Sequence, residues 1–134
     1  MIVMLLALTA AAPLPPPADP VGLWKTPRGA TVALARCGDR LCGRIVAVPP
    51  LTDNPRGVDR NNKDPAKRDR PLKGLTMLSG LSGGPETWTG GRVYNPEDGG
   101  SYSASIAMDG ANTLKMKGCL AAFLCRTQVW TRVR

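Results

Sequence analysis

The sequence contains no histidine, and its aromatic residues are limited to three tryptophans, two tyrosines and one phenylalanine. Histidine titrates near neutral pH without any help from its surroundings, so its absence removes the usual general base of an enzyme. Catalysis would have to depend on a Ser–Lys pair or on paired carboxylates, and the serines lie in ordinary turn and strand contexts. The sequence also has no nucleophile elbow, phosphate-binding loop or metal-ligand cluster. We therefore expect a protein that is not an enzyme and that uses no cofactor and no metal.

An apolar run long enough to cross a bilayer, about 20 residues, is also lacking. The most apolar stretch, residues 2–12, is about half that length, and the proline-rich segment 13–20 follows it. This pattern is typical of a secretory signal peptide, with cleavage near Ala11 or Ala18. We predict a signal peptide and proline-rich tether over residues 1–18 and a single domain over residues 19–134. The mature protein would be periplasmic or secreted, without a transmembrane segment.

The four cysteines form two close pairs along the chain, Cys37 with Cys42 and Cys119 with Cys125. An even number of cysteines in an exported protein indicates disulfides, and four cysteines allow three connectivities. Local pairing is favoured because it closes short loops, each contributing roughly 2 kcal/mol through loop entropy. Zinc binding and free thiols are the alternatives. Zinc is disfavoured because the cysteine spacings are wider than in the usual zinc knuckle and no histidine is available.

Apolar and polar residues alternate along much of the chain, which is the period of a half-buried strand. In 101–108 the even positions are the larger ones, from Tyr102 to Met108, and Asp109-Gly110 then provides the chemistry of a tight hairpin turn. No ten-residue stretch after the N-terminal apolar run has a clear helical period. The alternation predicts eight strands, at 22–26, 30–36, 41–48, 73–79, 86–94, 101–108, 113–117 and 127–133.

Eight strands joined mostly by short connections predict an all-β fold, an eight-stranded antiparallel meander that closes into a barrel and so removes exposed edges. One connection differs, because 49–72, between strands 3 and 4, is long, polar and basic. Loops of this length are usually functional or disordered. Within it, Asp64-Pro65 predicts one short helical turn through Arg68. The spacing of oxygen ligands in 59–64 does not fit a calcium loop, and Asx-type turns are favoured there.

The segment 95–99, Asn-Pro-Glu-Asp-Gly, combines residues that favour a turn. Tyr94 and Tyr102 flank it and are placed to pair across two strands. We interpret the segment as a structural turn, with a ligand-gripping loop as the alternative. Catalysis by Glu97 and the adjacent aspartate is disfavoured, because neighbouring side chains point in different directions.

The long connection and its flank carry half of the protein's net charge of +8. The 49–72 segment contains no aromatic residue that would stack on bases, which argues against nucleic acid as a partner. Outside the cytoplasm the available polyanions are phospholipid headgroups and anionic polysaccharides, and their binding should weaken with salt. The alternative is a solvated loop whose Asp–Arg pairs hold its own shape. The basic residues of this candidate polyanion surface are Arg56, Arg60, Lys63, Lys67, Arg68, Arg70 and Lys73.

Six sequence blocks occur in order: GLWKT at 22–26, CG…LCGRIV at 37–46, DRNN at 59–62, RPLxG at 70–74, GRVYNPEDG at 91–99 and FLCRTQxWTR at 123–132. Together they resemble a family of small exported bacterial proteins catalogued as domain of unknown function 2147. The resemblance covers about residues 21–134 and implies a lipocalin-like β-barrel in the bacterial cell envelope. It implies no established activity and no catalytic residue. Lipocalin-like barrels often begin with Gly-x-Trp and carry an arginine on the last strand, and Trp24 and Arg132 match those places.

The small residues of the predicted strands, such as Ala33, Ala35 and Ala104, leave two possibilities for the barrel interior. A narrow barrel is filled by side chains, whereas a roomier one holds one small ligand. We predict a binder of a small apolar or amphipathic molecule. The alternative is a structural protein that docks anionic envelope components through the basic residues of 56–73. The candidate ligand-loop and barrel-closure residues are Trp24, Tyr94, Asn95, Glu97, Tyr102, Trp130 and Arg132, with plain core packing as the alternative for the two tryptophans.

Overall fold

The computed structural model describes residues 2–10 and 18–134. Residues 2–10 form no helix or strand and are exposed to solvent. The predicted cleavage point at Ala11 and most of the proline-rich tether lie outside the described residues. Within the described ranges, no helix has the length and apolar character needed to cross a membrane.

Eight antiparallel strands, β1 to β8, make up the body of the protein. Each strand pairs with the next along the chain, and β8 pairs with β1, so the sheet closes into a barrel in meander order. The predicted all-β fold class and eight-stranded antiparallel barrel are therefore confirmed. The strands are β1 Gly22–Lys25, β2 Thr31–Cys37, β3 Arg40–Ala47, β4 Thr76–Gly83, β5 Thr87–Asn95, β6 Gly100–Met108, β7 Thr113–Ala121 and β8 Leu124–Arg132.

Three strands differ most from their predicted bounds. β4 begins at Thr76 rather than at residue 73, because the chain first makes a turn at Gly74. The Gly74 N–H donates to the Ile45 carbonyl at 2.6 Å, and its φ of +92° suits glycine. β7 extends beyond its predicted end at residue 117, and β8 begins before its predicted start at residue 127. Only two residues connect them, so their hairpin is longer than the alternation alone indicated.

The interior of the barrel is filled by apolar side chains. Along β6 the predicted alternation is confirmed, because Ala104 and Ile106 are buried whereas Ser101 and Ser103 are exposed. Burying each of the larger side chains contributes about 1.5–3 kcal/mol. Of the two possibilities for the lumen, the described residues form the filled one. The core consists of Trp24, Val32, Leu34, Leu41, Leu78, Leu81, Trp88, Val93, Ala104, Ile106, Leu114, Met116 and Trp130.

The sheet closes into a barrel along the seam where the first and last strands pair. The guanidinium carbon of Arg132 lies 4.4 Å from the centroid of the Trp24 ring. The Arg132 Nε donates to the Ala111 carbonyl at 2.7 Å, and the Trp24 indole N–H donates to the Pro20 carbonyl at 2.8 Å. The residues of the Gly-x-Trp and arginine pattern therefore lie against each other and join β1 to β8.

Both disulfides connect neighbouring cysteines, Cys37–Cys42 and Cys119–Cys125, so local pairing is confirmed. The first spans the β2–β3 hairpin and the second the β7–β8 hairpin. Successive connections of an antiparallel meander alternate between its two ends, so the two disulfides lie at opposite ends of the barrel. Disulfides of this kind are typical of oxidising compartments outside the cytosol.

Candidate ligand-binding cleft

The loop of residues 48–75 joins β3 to β4 and folds against the connection between β5 and β6. It contains one 3-10 turn, Pro65–Lys67, whose N-cap Asp64 accepts a hydrogen bond from the Ala66 N–H at 3.0 Å. The predicted short helical turn is confirmed. Asn62 Oδ1 in turn accepts from the Asp64 N–H at 2.9 Å, which is the Asx-type bonding expected of this segment.

A fully buried carboxylate, Asp59, attaches this loop to the barrel. It accepts hydrogen bonds from the Tyr94 hydroxyl at 2.6 Å, from Asn62 Nδ2 at 2.8 Å and from Arg70 Nε at 2.9 Å. A buried charge is strongly destabilising unless it is paired and hydrogen-bonded, and these three donors meet that requirement. Because Tyr94 belongs to β5, the network fixes the loop to the barrel wall.

Tyr94 is one of the candidate ligand-loop or barrel-closure residues, and the structure places it in this network. Burial, followed by the hydrogen bond to Asp59, raises the pKa of Tyr94 to about 12, against a smaller lowering by Arg70. The hydroxyl therefore keeps its proton through the neutral range and remains a donor. The guanidinium carbon of Arg70 also lies 5.6 Å from the Tyr94 ring centroid, so a cation–π contact supports the same arrangement.

A second contact joins the loop to the β5–β6 turn. Asn61 Nδ2 donates to the Glu97 carbonyl at 3.0 Å. The turn itself closes with a bond from the Gly99 N–H to the Asn95 carbonyl at 2.8 Å, so the predicted structural turn is confirmed. Gly99 has a φ of +70°, and a Cβ at this position would clash with the Asn61 carbonyl oxygen. Glycine is required here because the loop approaches the turn backbone this closely.

A cleft of about 560 Å³ lies between the loop and this end of the barrel. Small-molecule sites usually measure about 300–1,000 Å³. One part of the lining is apolar and comes from both the barrel and the loop: Ile45, Val48, Leu51, Leu72 and Met77. The other part is polar: Arg28, Asp53, Asn54, Arg60, Asn61, Asn95, Glu97 and Gln128.

The charges at the rim of the cleft are arranged in two ion pairs. Arg28 Nε lies 3.0 Å from Glu97 Oε1, and Arg60 Nη2 lies 2.9 Å from Asp53 Oδ2. All four side chains are at least 44% exposed, so each pair stabilises the fold by no more than about 1 kcal/mol. Their main effect is to keep the rim electrically balanced.

Two amide side chains of the rim are held at one end. Asn95 Oδ1 accepts from the Glu97 N–H at 3.0 Å, and Gln128 Oε1 accepts from the Trp130 indole N–H at 3.0 Å. Across the described part of the chain, the amino groups of these two amides have no protein acceptor. The two side chains are therefore oriented donors with bonding capacity left over.

Most of the basic residues predicted to form a polyanion surface are engaged within the loop. Three arginines pair with aspartates of the loop, and a fourth donates to a backbone carbonyl: Arg70 with Asp59, Arg60 with Asp53, Arg56 with Asp69, and Arg68 with Asn62. No ion pair involves Lys63, Lys67 or Lys73 among the described residues. The geometry thus resembles the alternative in which Asp–Arg pairs hold the shape of the loop.

The remaining candidate residues divide between the cleft and the rest of the barrel. Asn95 and Glu97 line the cleft. Trp24 and Trp130 are fully buried core residues, and Arg132 lies over the Trp24 ring at the seam between β1 and β8. Tyr102 donates to the Asp98 carboxylate at 2.5 Å beside the β5–β6 turn.

Sequence reasoning missed several lining residues, notably Arg28, Leu72 and Gln128. Gln128 gave a usable signal. It lies two residues before Trp130 in β8 and so shares its strand face, where alternation favours an apolar residue rather than a polar one. Arg28 and Leu72 gave none, since each belongs to a connection whose position depends on the closed barrel.

A closed, eight-stranded antiparallel barrel with a cleft at one end defines the class of this protein, a lipocalin-like β-barrel. A solved structure, protein HP1028 from the human pathogen Helicobacter pylori, described as belonging to the lipocalin family, matches it with a TM-score of 0.76. The two chains are 21% identical, and the match covers 87% of this chain and 84% of that chain. At this identity the likeness shows the fold alone.

The chain belongs to the family described as an uncharacterized protein conserved in bacteria, domain of unknown function 2147, which matches residues 22–132. The resemblance noted from the six sequence blocks is thereby confirmed. No curated protein matches the chain.

Proposed function

We propose that this protein is an exported, non-enzymatic binder of a small amphipathic molecule, held in the cleft between the barrel end and the 48–75 loop. The observation that carries the proposal is the cleft itself, a formed space of about 560 Å³ with an apolar part beside a polar part. Sites of this size that combine an apolar lining with a few placed polar groups are typical of small-molecule binding.

The apolar part of the cleft is held rigidly. Leu72 and Ile45 are both buried. The Leu72 N–H donates to the Gly57 carbonyl at 2.9 Å, and the Ile45 N–H donates to the Leu75 carbonyl at 2.9 Å. A preorganised surface binds its ligand with a smaller loss of conformational entropy, so the apolar part of the cleft supports binding of an alkyl or similar apolar group.

The polar part favours an uncharged or zwitterionic head over a bare anion. Each rim arginine is matched by a carboxylate within the same lining, Arg28 by Glu97 and Arg60 by Asp53. The amino groups of the two rim amides are positioned as donors to hydroxyl or carbonyl oxygens of a ligand. An amphipathic molecule with such a head would satisfy both parts of the cleft.

The pairing of the rim carboxylates also supports a binding rather than a catalytic role. Glu97 and Asp53 each form an ion pair with an arginine at about 3 Å, so neither is placed as an unpaired general base. The absence of histidine from the sequence points in the same direction. Location in the bacterial envelope is part of the proposal and is supported by the two disulfides and by the N-terminal apolar segment.

The proposal can be tested by filling the cleft. Ala30 lines it, and Ala30→Trp would occupy space that a ligand needs. Ala111→Trp is the matched control, because Ala111 is exposed in the β6–β7 connection at the opposite end of the barrel. The readouts are native mass spectrometry of protein purified from its own envelope and titration with an environment-sensitive fluorescent amphiphile that has an uncharged head.

We expect a co-purified small molecule, binding that persists at high salt, and a loss of at least about tenfold in affinity for Ala30→Trp but not for Ala111→Trp. A protein that is consistently empty, or that binds the amphiphile equally well in both variants, would contradict the proposal. The alternative, docking to anionic envelope polymers, now depends mainly on Lys63, Lys67 and Lys73. Binding that collapses in high salt and on reversing these three charges would favour it instead.

A further inference from the structure

The β7–β8 hairpin ends in an apolar tip, residues 120–124, with the sequence Leu-Ala-Ala-Phe-Leu. The Cys119–Cys125 disulfide frames these five residues, and all five are exposed to solvent. The side chains of Leu120, Phe123 and Leu124 are 71%, 83% and 53% exposed. The protein thus places its one phenylalanine at the end of a cross-linked hairpin, in water.

Turn geometry does not account for these residues. Two-residue hairpin connections usually contain Asn-Gly or Asp-Gly, because the preferred turns need a positive φ. The chain uses Asp-Gly in the four-residue connection between β6 and β7, where Gly110 has a φ of +77°. At the tip the connection is Ala122-Phe123, and no residue other than glycine has a positive φ in the described part of the chain. Polar residues would therefore fit this turn as well as apolar ones.

Core packing does not account for them either. The core includes Met116 of β7 and Trp130 of β8, and the residues beyond these towards the tip do not belong to it. Contiguous apolar groups left in solvent mark interaction sites more often than single exposed apolar residues do. The tip thus breaks the usual polar pattern of a surface turn, and no packing among the described residues compensates for it.

The strands below the tip carry positive charge. Arg126 pairs with Gly118 and Lys117 with Thr127, one and two register positions below the disulfide respectively. From Gly110 to the C-terminus the chain contains no acidic residue. An apolar end with a cationic flank is complementary to the surface of an anionic bilayer, where each basic residue near the headgroups contributes about 1 kcal/mol.

We propose that the β7–β8 tip anchors this protein to anionic membrane surfaces. Leu120, Phe123 and Leu124 insert at the boundary between headgroups and acyl chains, and Lys117 and Arg126 contact lipid phosphates. The proposal is independent of what the cleft binds. It would, however, place the cleft near the bilayer, because the β7–β8 connection and the β1–β2, β3–β4 and β5–β6 connections share one end of the meander.

A second copy of the chain fits this surface less well. The tip is a projection that offers a few hundred Å² of apolar surface, whereas a stable protein–protein interface needs about 800 Å² from each partner. Each chain also carries a net charge of +8, so two copies repel each other while an anionic bilayer attracts both.

The test is co-sedimentation of the protein, isolated from the periplasm of an expression host, with vesicles of phosphatidylglycerol and phosphatidylethanolamine. The combined variant Phe123→Ser with Leu124→Ser should lower the partition coefficient by at least about tenfold. Lys117→Gln and Arg126→Gln, each of which removes one positive charge, should each lower it by about fivefold on these vesicles. Val133→Ser is the matched control, since Val133 is a half-exposed apolar residue at the opposite end of β8, and it should bind as the wild type does.

A second measurement places the tip in the membrane directly. The native tryptophans Trp24, Trp88 and Trp130 are all buried, so in Phe123→Trp the added indole should shift its emission to the blue on binding vesicles, and Val133→Trp should not. The proposal is overturned if the wild type does not sediment with anionic vesicles, or if the serine variant sediments equally well. A dimer in solution that the serine variant dissociates, without vesicle binding by the wild type, would overturn it in favour of self-association. Variants of the cleft such as Ala30→Trp should sediment normally, so failure of the proposed ligand binding would leave this result unchanged.

Discussion

Replacing Asp59 with asparagine perturbs the group that holds the 48–75 loop against the barrel. Asp59→Asn keeps the size of the side chain and one acceptor oxygen for Tyr94. It puts an amino group where Asp59 Oδ2 accepts from Asn62 and Arg70, at 2.8 and 2.9 Å. The Asn62 amino group and the Arg70 Nε–H would then both face the new amino group of residue 59, which cannot accept a hydrogen bond. Arg70 would also lose its charge partner.

The magnitude follows from the burial of the two partners. Breaking a buried ion pair destabilises a protein by about 3–5 kcal/mol, and a hydrogen bond to a charged group contributes about 1.5–3 kcal/mol. The Asp59 carboxylate is fully buried, but the Arg70 side chain is 36% exposed, so water can solvate the arginine in the variant. We therefore expect the free energy of unfolding to fall by about 3 kcal/mol, and Tm by roughly 10 °C for a domain of this size.

The measurement combines thermal unfolding with amide hydrogen exchange. The Asp59 N–H donates to the Arg70 carbonyl and the Leu72 N–H to the Gly57 carbonyl, both at 2.9 Å. In Asp59→Asn the amides of residues 59 and 72 should lose protection to a greater extent than the amides of the buried barrel strands. Asp53→Asn is the control, because its carboxylate is 71% exposed and should change stability by less than about 1 kcal/mol. Equal effects of the two substitutions, or unchanged protection at residues 59 and 72, would refute the reasoning.

Two further substitutions test the same structure at other points. Because folding raises the pKa of Tyr94 to about 12 from its ordinary value of 10.0, the stabilisation from its protonated hydroxyl is complete below about pH 10 and is lost as the pH rises towards 12. Urea unfolding across that window should show the wild type losing more stability than Tyr94→Phe, and parallel curves would contradict this. Arg132→Ala should lower the free energy of unfolding by about 2 kcal/mol, because it loses the Trp24 ring face and the Ala111 carbonyl. Arg132→Lys keeps the charge but not the planar guanidinium, so its free energy of unfolding in chemical denaturation should lie between those of the wild type and Arg132→Ala. An alanine variant as stable as the wild type would show that this contact does not hold β1 to β8.

The barrel was predictable because its evidence is local. Alternation over a few residues predicts a strand, as in 101–108, and a short motif such as Asp109-Gly110 predicts a hairpin turn. The two cysteine pairs were local as well, and both formed. β4 was displaced because its start depends on the contact of Gly74 with Ile45, which lies across the sheet and leaves no mark on the alternation.

The cleft was not predictable in the same way, because its lining comes from three connections, β1–β2, β3–β4 and β5–β6, and from the four strands β3, β4, β5 and β8. The role of Asp59 was also hidden. Counting charges along the loop treats Asp59 as one acidic residue among basic ones, whereas its partners Arg70 and Tyr94 lie 11 and 35 positions away in sequence. A basic segment can be a polyanion surface or a self-paired loop, and only the three-dimensional pairing separates the two.

The hydrogen-bond network of Asp59 and the cleft lie on opposite sides of one short segment, residues 59–62. Asp59 and Asn62 are buried in the network, while Arg60 and Asn61 between them line the cleft. A ligand that binds these two residues in the ordered loop, and not in a detached one, must stabilise the loop by mass action, about 2.7 kcal/mol at a hundredfold excess over Kd. The coupling is reciprocal, so Asp59→Asn should weaken ligand binding although Asp59 does not touch the cleft. If the cleft binds a ligand as proposed, the network serves that binding by fixing the positions of the residues that form the wall of the cleft.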